Sequence, residues 1–152
     1  MPKIVGIEHI VLHVGDLDRS KKFYDAVLGH LGFKLEWEFD RVVGWDNGET
    51  MVWIRETDAR GKKRKFRLGD IGIHHYAFEL AERDHVDGLH VFLKKHKVRI
   101  VDPPADYPSY GDGYYAVFFL DPDGIKLEGV HFAQKQKRRA ARRKRSRGET
   151  RS

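Results

Sequence analysis

Two stretches of the chain repeat one another: "GIEHIVLHV" at residues 6–14 and "GIHHYAFEL" at residues 72–80. They align at a constant offset of 66 residues, so that Gly6 matches Gly72 and His9 matches His75. The period of a sequence repeat indicates the architecture of the fold. Each copy has strand-forming residues with alternating apolar positions, which is typical of a half-buried β-strand. We therefore expect a tandem duplication of one structural module.

An amphipathic helix is predicted after each copy. The first is "DLDRSKKFYDAVLGHLGF" (residues 16–33), where Asp16 or Asp18 suits the N-cap and Gly32 the C-terminal cap. The second is "RDHVDGLHVFLKKHKV" (residues 83–98). The apolar residues at helical spacing are Phe23, Tyr24, Val27, Leu28 and Leu31 in the first, and Val86, Leu89, Phe92 and Leu93 in the second.

Three short β-rich runs follow each helix. They are "KLEWEF", "RVVGWD" and "ETMVWIRE" in the first half, and "RIVDPP", "YYAVFFL" and "IKLEGVHF" in the second. Asn47-Gly48 and Asp123-Gly124 provide turns suited to hairpins. The predicted fold class is α+β: two tandem βαβββ modules that form a partly closed mixed β-barrel with helices outside. Module one spans about residues 4–58, a connector 59–69, and module two about 70–133, and a shared concavity is expected to hold the site.

The charge is concentrated at the carboxyl end. Residues 134–152 hold ten of the 29 Lys and Arg and one of the 23 acidic residues, which leaves residues 1–133 with a net charge of −3. A dense block of like charge normally stays solvated. The basic tail at 134–152 is therefore either a solvated extension or a segment that binds nucleic acid or another polyanion, and its residues would favour a helix on a partner.

Strand parity sorts the candidate ligands, because neighbouring side chains on a strand point to opposite faces. His9 and His75 occupy the same place in the two modules, so both are expected to face the central cleft, whereas His74 is expected to face away. His9 and His13 share a face but lie about 13 Å apart along a strand, which is too far for one metal. Two imidazoles and an inward carboxylate on a last strand form a set suited to Fe, Mn, Ni or Zn.

At these residues the sequence resembles the vicinal oxygen chelate superfamily, which includes glyoxalase I, extradiol dioxygenases, fosfomycin-resistance thiol transferases, methylmalonyl-CoA epimerase and bleomycin-binding proteins. The resemblance runs from residue 4 to about 132 and rests on "IEHIVLHVGDLDRSKKFYDAVLGHLGF", "HHYAFEL", "YYAVFFLDPDG" and "KLEGVHF". It implies two βαβββ modules around a divalent metal. The implied ligands are His9, His75 and Glu128, the last following "DPDG" at residues 121–124.

One departure from the superfamily bears on the reaction. Glyoxalases carry a fourth ligand on the last strand of module one, where this chain has Val52, Trp53 and Ile54, with Glu49 and Glu56 at the ends. A three-ligand site resembles the dioxygenases and thiol transferases more closely, and three intact ligands argue against the metal-free bleomycin-binding branch. Whether either glutamate serves as a fourth ligand, and whether the site lies in one chain or between two, stays open.

Aromatic residues near the expected cleft add candidates. Tyr107, Tyr110, Tyr114 and Tyr115 precede or open the strand that leads to the "DPDG" turn, and one of them is a candidate hydrogen-bond donor to substrate. Packing is the simpler role for any single tyrosine. Trp53 either floors the pocket or fills the core. No catalytic residue beyond the metal ligands is identified.

The predicted function is a divalent-metal-dependent enzyme of lyase, extradiol-dioxygenase or thiol-transferase type, acting on a small substrate that chelates the metal through adjacent oxygens. The alternatives are a non-catalytic small-molecule binding or resistance protein, and a carrier for a polyanion-binding tail. The chain has no cysteine, no apolar run near 18 residues and no signal-peptide pattern. A cytoplasmic protein with no membrane association is expected, and a homodimer, as in superfamily members that cover their open sheets by pairing.

Overall fold

The computed structural model describes Pro2 and residues 4–149, with side chains through Lys144. Two compact units are present. The first unit runs through Asp70 and also includes Asp121–Ile125. The second unit comprises Ile71–Leu120 and the chain from Lys126 onward.

The first unit has the predicted βαβββ order. Its elements are β1 (His9–Val14), α1 (Leu17–His30), β2 (Lys34–Phe39), β3 (Val42–Asp46) and β4 (Met51–Glu56), followed by a single turn of helix, α2 (Ala59–Lys62), in the connector. The sheet order is β1-β4-β3-β2. β1 runs parallel to β4, and the other pairs are antiparallel.

Helix α1 has the caps that the sequence predicts. The Asp16 carboxylate accepts a hydrogen bond from the Arg19 backbone N–H at 2.8 Å, and Gly32 follows the C-cap with a φ of +89°, a conformation that favours glycine. Tyr24, Val27 and Leu28 are buried. The predicted apolar stripe is therefore the face that packs on the sheet.

Strand β1 shows the alternation that positions the site residues. Leu12 and Val14 are buried, whereas His9, Val11 and His13 are exposed on the other face. β4 repeats the pattern, since Val52 and Ile54 are wholly buried. The core thus lies between α1 and one face of the sheet, and the histidines lie on the opposite face.

The turn Asp121–Ile125 completes the first unit although it comes late in the sequence. The Tyr24 hydroxyl donates to Asp121 at 2.9 Å, and the Gly15 backbone N–H donates to Asp123 at 3.0 Å. Asp121 is 4% exposed, and burial raises the pKa of its carboxyl. The backbone N–H of Ile125 also donates to Asp121. The "DPDG" motif therefore serves as a structural turn against the start of α1.

The second unit repeats the order. Its elements are β5 (His75–Glu79), α3 (Arg83–Lys95), β6 (Ile100–Asp106), a 3-10 turn (Pro108–Tyr110), β7 (Tyr114–Leu120), β8 (Lys126–Phe132) and α4 (Ala133–Glu149). The sheet order is β5-β8-β7-β6, with β5 parallel to β8. Leu89 and Leu93 of α3 are buried, and Leu89 lies directly over Gly129, where an added Cβ would stand 2.4 Å from a Leu89 methyl.

The tail is helical from its first residue through Glu149. This differs from a wholly solvated extension, because its first turns contact the second unit. Gln136 donates to the backbone carbonyls of Leu80 and Ala81 at 3.1 and 3.2 Å, and Lys135 and Arg139 both pair with Glu79. Residues 150–152 of the predicted tail lie outside the described residues.

The predicted fold class is confirmed. Over the described residues the chain is α+β with two four-stranded mixed sheets, neither of which closes on itself. Every helix in the described part of the chain is too short or too polar to span a bilayer.

Candidate metal centre

Glu128 lies at the centre of β8 with its carboxylate wholly buried. Its neighbours Leu127 and Gly129 alternate to the other face, where Gly129 meets α3, so Glu128 points to the face away from the helix. The Tyr114 hydroxyl donates to Glu128 Oε1 at 2.6 Å, and His75 Nε2 lies 2.9 Å from Oε2. Both carboxylate oxygens are thereby fixed in position.

His75 reaches Glu128 because of the parallel pairing of β5 with β8. Ala77 lies opposite Glu128 in the ladder. His75 comes two residues before Ala77 on β5, so its side chain is on the same face of the sheet as Ala77 and Glu128. The His75 ring meets Phe118 edge to face at 5.8 Å between centroids. Since Nε2 faces Glu128, Nε2 is the nitrogen available to a metal.

The His75 and Glu128 atoms fit two ligands of one divalent ion. Zinc-like metals bind imidazole nitrogen and carboxylate oxygen at about 2.0–2.2 Å, so two ligands are separated by about 3.3–3.6 Å in tetrahedral geometry and by about 2.9 Å at a right angle. The observed separation between Nε2 and Oε2 is 2.9 Å, which is also the length of an ordinary hydrogen bond. One nitrogen and one oxygen also match the ligand chemistry of Fe, Mn, Ni and Zn.

His9 is placed on the exposed face of β1 in the first unit, and its Nδ1 contacts the Glu8 carboxylate. Metal-binding histidines commonly donate their second ring N–H to a carboxylate, which leaves the other nitrogen for the metal. Across residues 4–149, no three His, Asp or Glu side chains are gathered as one metal group. Of the three predicted ligands, the described structure thus brings together His75 and Glu128.

His74, which is expected to face away from the cleft, contacts His75. His74 precedes β5, which begins at His75, so strand alternation does not govern its side chain. Its Nδ1 lies 2.6 Å from His75 Nδ1. His74 therefore contacts the ring nitrogen of His75 that does not face Glu128.

The position in the first unit that matches Glu128 is occupied by an aromatic residue. In the second unit Ala77 pairs with Glu128, and in the first unit the matching residue Val11 pairs with Trp53. Glu56 is on the other face of β4, where its carboxylate pairs with Arg41 and Lys62 at 3.0 and 2.5 Å. Trp53 is thus the counterpart of Glu128 in the first unit.

Trp53 is one wall of a pocket on the first sheet. Its indole lies over Gly44, where an added Cβ would stand 2.6 Å from the ring, and it stacks on Trp37 with centroids 4.9 Å apart. The glycine is required for this arrangement, because any side chain would displace the indole. The pocket has a volume of about 370 Å³ and is lined by Glu8, His9, Val11, Val42, Met51, Trp53 and Arg55.

The structure separates the four candidate tyrosines. Tyr114 contacts the predicted ligand, and burial together with its hydrogen bond to Glu128 raises the pKa of its hydroxyl, which keeps it a donor. Tyr115 faces the other way and donates to Asp87 at 2.6 Å. Tyr107 and Tyr110 stack on one another. Sequence reasoning gave no preference among them, although alternation along β7 places Tyr114 and Tyr115 on opposite faces.

Comparison with known proteins agrees with this architecture. The model of the Glyoxalase/Bleomycin resistance protein/Dioxygenase superfamily matches residues 6–128. The chain belongs to this superfamily. The resemblance to it that "HHYAFEL" and "DPDG" carry in the sequence is thereby confirmed, and the matched segment ends at Glu128.

Similar proteins extend over nearly the same length. YqjT of Bacillus subtilis, an uncharacterised protein, is 29% identical over 124 residues, covering 82% of this chain and 97% of YqjT. A proposed glyoxalase of Bacillus halodurans is 30% identical with a TM-score of 0.73, covering 83% of this chain and 95% of that one. The lactoylglutathione lyase of Agrobacterium tumefaciens shares the fold, with 20% identity, a TM-score of 0.64 and coverage of 86% and 96%.

Proposed function

We propose that the chain is a divalent-metal-dependent enzyme in which His75, Glu128 and His9 hold the ion and a small substrate chelates it through two adjacent oxygens. The observation that carries the proposal is the pair of His75 Nε2 and Glu128 Oε2, 2.9 Å apart at a wholly buried carboxylate. A carboxylate is costly to bury unless it is paired or binds a metal. When bound, a divalent ion polarises substrate oxygens and stabilises the negative charge that develops on them.

The residues around the ligands orient them. Tyr114 holds Glu128 Oε1 and leaves Oε2 to face His75. His74 holds His75 from its Nδ1 side, and Glu8 does the same for His9. Each predicted ligand therefore has a partner that fixes its donor atom, as metal sites require.

The surroundings favour a substrate with an apolar part. Phe118, Ala116 and Val130 form a buried apolar cluster on the face of Glu128, which limits access of water. In the first unit, the pocket that contains His9 has Trp53 and Met51 in its wall. The proposal covers lyase, extradiol-dioxygenase and thiol-transferase chemistry, since all three need a metal with open positions. The homodimer inferred from the sequence stays a prediction.

Metal analysis of the purified protein tests the proposal. We expect about one Fe, Mn, Ni or Zn per chain after loading and dialysis, and its loss in His75→Ala, Glu128→Gln and His9→Ala. His13→Ala is the matched control, because His13 shares the exposed face of β1 with His9. His74 is unsuitable as a control because it contacts His75.

Two outcomes would contradict the proposal. If His75→Ala keeps as much metal as the unchanged protein, the ligand assignment is wrong. If the loaded protein holds no stoichiometric metal yet binds aromatic small molecules in calorimetry, the alternative of a non-catalytic binding protein takes its place.

A further inference from the structure

The basic helix α4 has two different faces. Lys135, Gln136 and Arg139 contact the second unit, where the two cations share the Glu79 carboxylate. With 3.6 residues per turn, Lys137 and Lys144 lie on the side of the helix away from these contacts. The side chains that hold α4 in place are therefore on one side of the helix, and the cations that can bind a partner are on the other.

The outward face carries cations that the body does not neutralise. Lys137 and Lys144 on this face and Arg138 at its edge are exposed, and within the described part of the chain they have no acidic group at ion-pair distance. Exposed cations without acid partners on a fixed helix form a surface for a polyanion.

The anchor at Glu79 makes this surface different from a loose tail. Arg139 Nη1 lies 2.6 Å from Glu79 Oε2 and Lys135 Nζ lies 3.1 Å from it. The first two turns of α4 are thereby held on the second unit. Since residues 1–133 carry a net charge of −3, they repel phosphate, and an anionic partner is directed to the outward face of the helix.

We propose that the outward face of α4 binds the phosphate backbone of duplex DNA without sequence preference. A helix of 17 residues is about 25 Å long, enough to follow several phosphates along a duplex that carries one charge per about 1.7 Å. The cations can neutralise phosphates, and phosphate contacts fix the position of a protein on DNA without reading its sequence.

An anionic membrane is the competing partner, and the helix lacks what it requires. Interfacial helices bury an apolar face of residues such as Leu, Phe or Trp. Residues 133–149 contain no Leu, Ile, Val, Phe, Tyr, Trp or Met, and alanine is their only apolar residue. Electrostatic attraction of α4 to anionic lipid would therefore not be strengthened by insertion of apolar side chains into the membrane.

Fluorescence anisotropy of the full chain with a labelled 20-base-pair duplex, over a range of KCl concentrations, tests the proposal. Replacing Lys137, Arg138 and Lys144 with Gln removes three phosphate contacts, which should make the log–log salt slope shallower by about 2.7. Extrapolated from equal affinities at 1 M salt, this slope difference gives a loss of affinity of about 500-fold at 0.1 M salt. A second duplex of unrelated sequence should bind with the same affinity.

The matched control replaces Lys63, Arg64 and Lys65 of the connector with Gln. These three residues are also exposed, so the change in net charge is the same, and DNA affinity should fall far less. A chain that ends at Ala140 keeps the anchors Lys135, Gln136 and Arg139 and should also bind weakly. Metal content that is unchanged in all variants, and circular dichroism that is unchanged in the two substitution variants, show that the metal centre and the fold are intact.

Three results would overturn the proposal. The first is a full chain without affinity for either duplex at 50 mM KCl. The second is an equal loss of affinity in the α4 and connector variants, which would mean that net charge alone is responsible. The third is binding to vesicles of phosphatidylglycerol and phosphatidylcholine in place of DNA, which would make α4 a membrane-surface helix.

Discussion

Removal of the Tyr114 hydroxyl is expected to weaken metal binding while leaving the ligands in place. In Tyr114→Phe, Glu128 Oε1 loses the donor at 2.6 Å and keeps its burial. A hydrogen bond to a charged group contributes about 1.5–3 kcal/mol. Loss of a partner that orients a ligand costs about 10–100-fold in metal affinity, which is about 1.4–2.7 kcal/mol, so two independent estimates agree.

Tyr115→Phe is the matched control for this prediction. Tyr115 also donates a 2.6 Å hydrogen bond to a carboxylate, that of Asp87, but on the opposite face of the sheet. Competition between the protein and a chelator for Zn or Mn gives the dissociation constants of both variants. Equal affinity of Tyr114→Phe and the unchanged protein would refute the role of Tyr114, and equal weakening in both variants would show a general loss of packing.

Two further predictions concern stability. Gly129→Ala should lower the melting temperature by about 2–12 °C, since its Cβ would stand 2.4 Å from buried Leu89 and overpacking costs about 1–3 kcal/mol. Gly88 lies in α3, the helix of Leu89, and an added Cβ there would meet open space. Gly88→Ala should therefore raise the melting temperature by about 2–4 °C through helix propensity. Calorimetry in which both substitutions shift the melting temperature in the same direction would contradict the packing described. The hydrogen bond and ion pair with Arg83 lower the pKa of Asp106. The stability it contributes is therefore present above about pH 4 and lost as the pH falls through the lowered pKa. Melting curves of Asp106→Asn and the unchanged protein should converge in acid, and a difference that persists at the lowest pH would exclude this pair.

The sequence predicted the two modules well because each half has the alternation of a strand followed by the apolar spacing of an amphipathic helix. The 66-residue offset aligned His9 with His75, and the structure gives these two residues the same place in matching strands. The N-cap at Asp16 and the glycine at Gly32 followed from local rules that the tertiary structure does not oppose. Alternation along β8 likewise placed Glu128 on the face opposite α3.

Other features depend on contacts that no local pattern encodes. His74 was assigned by strand alternation, but the strand begins one residue later. The contact of Tyr114 with Glu128 depends on how β7 pairs with β8, which periodicity does not give. The tail helix gains its anchor from Glu79, a residue more than 50 positions earlier in the chain.

The late turn Asp121–Ile125 has a consequence for synthesis of the protein. When the ribosome has made residues 1–70, all four strands of the first sheet exist, but the acids that accept from Gly15 and Tyr24 do not. At about 5–20 residues per second, roughly 3–10 s pass before the turn is made. During that interval the start of α1 has no carboxylate from this turn, so the first half of the duplication is not a finished folding unit. A fragment that ends at Asp70 would therefore be a poor model of an ancestral single module. Addition of Asp121–Ile125 as a separate peptide should stabilise the folded fragment.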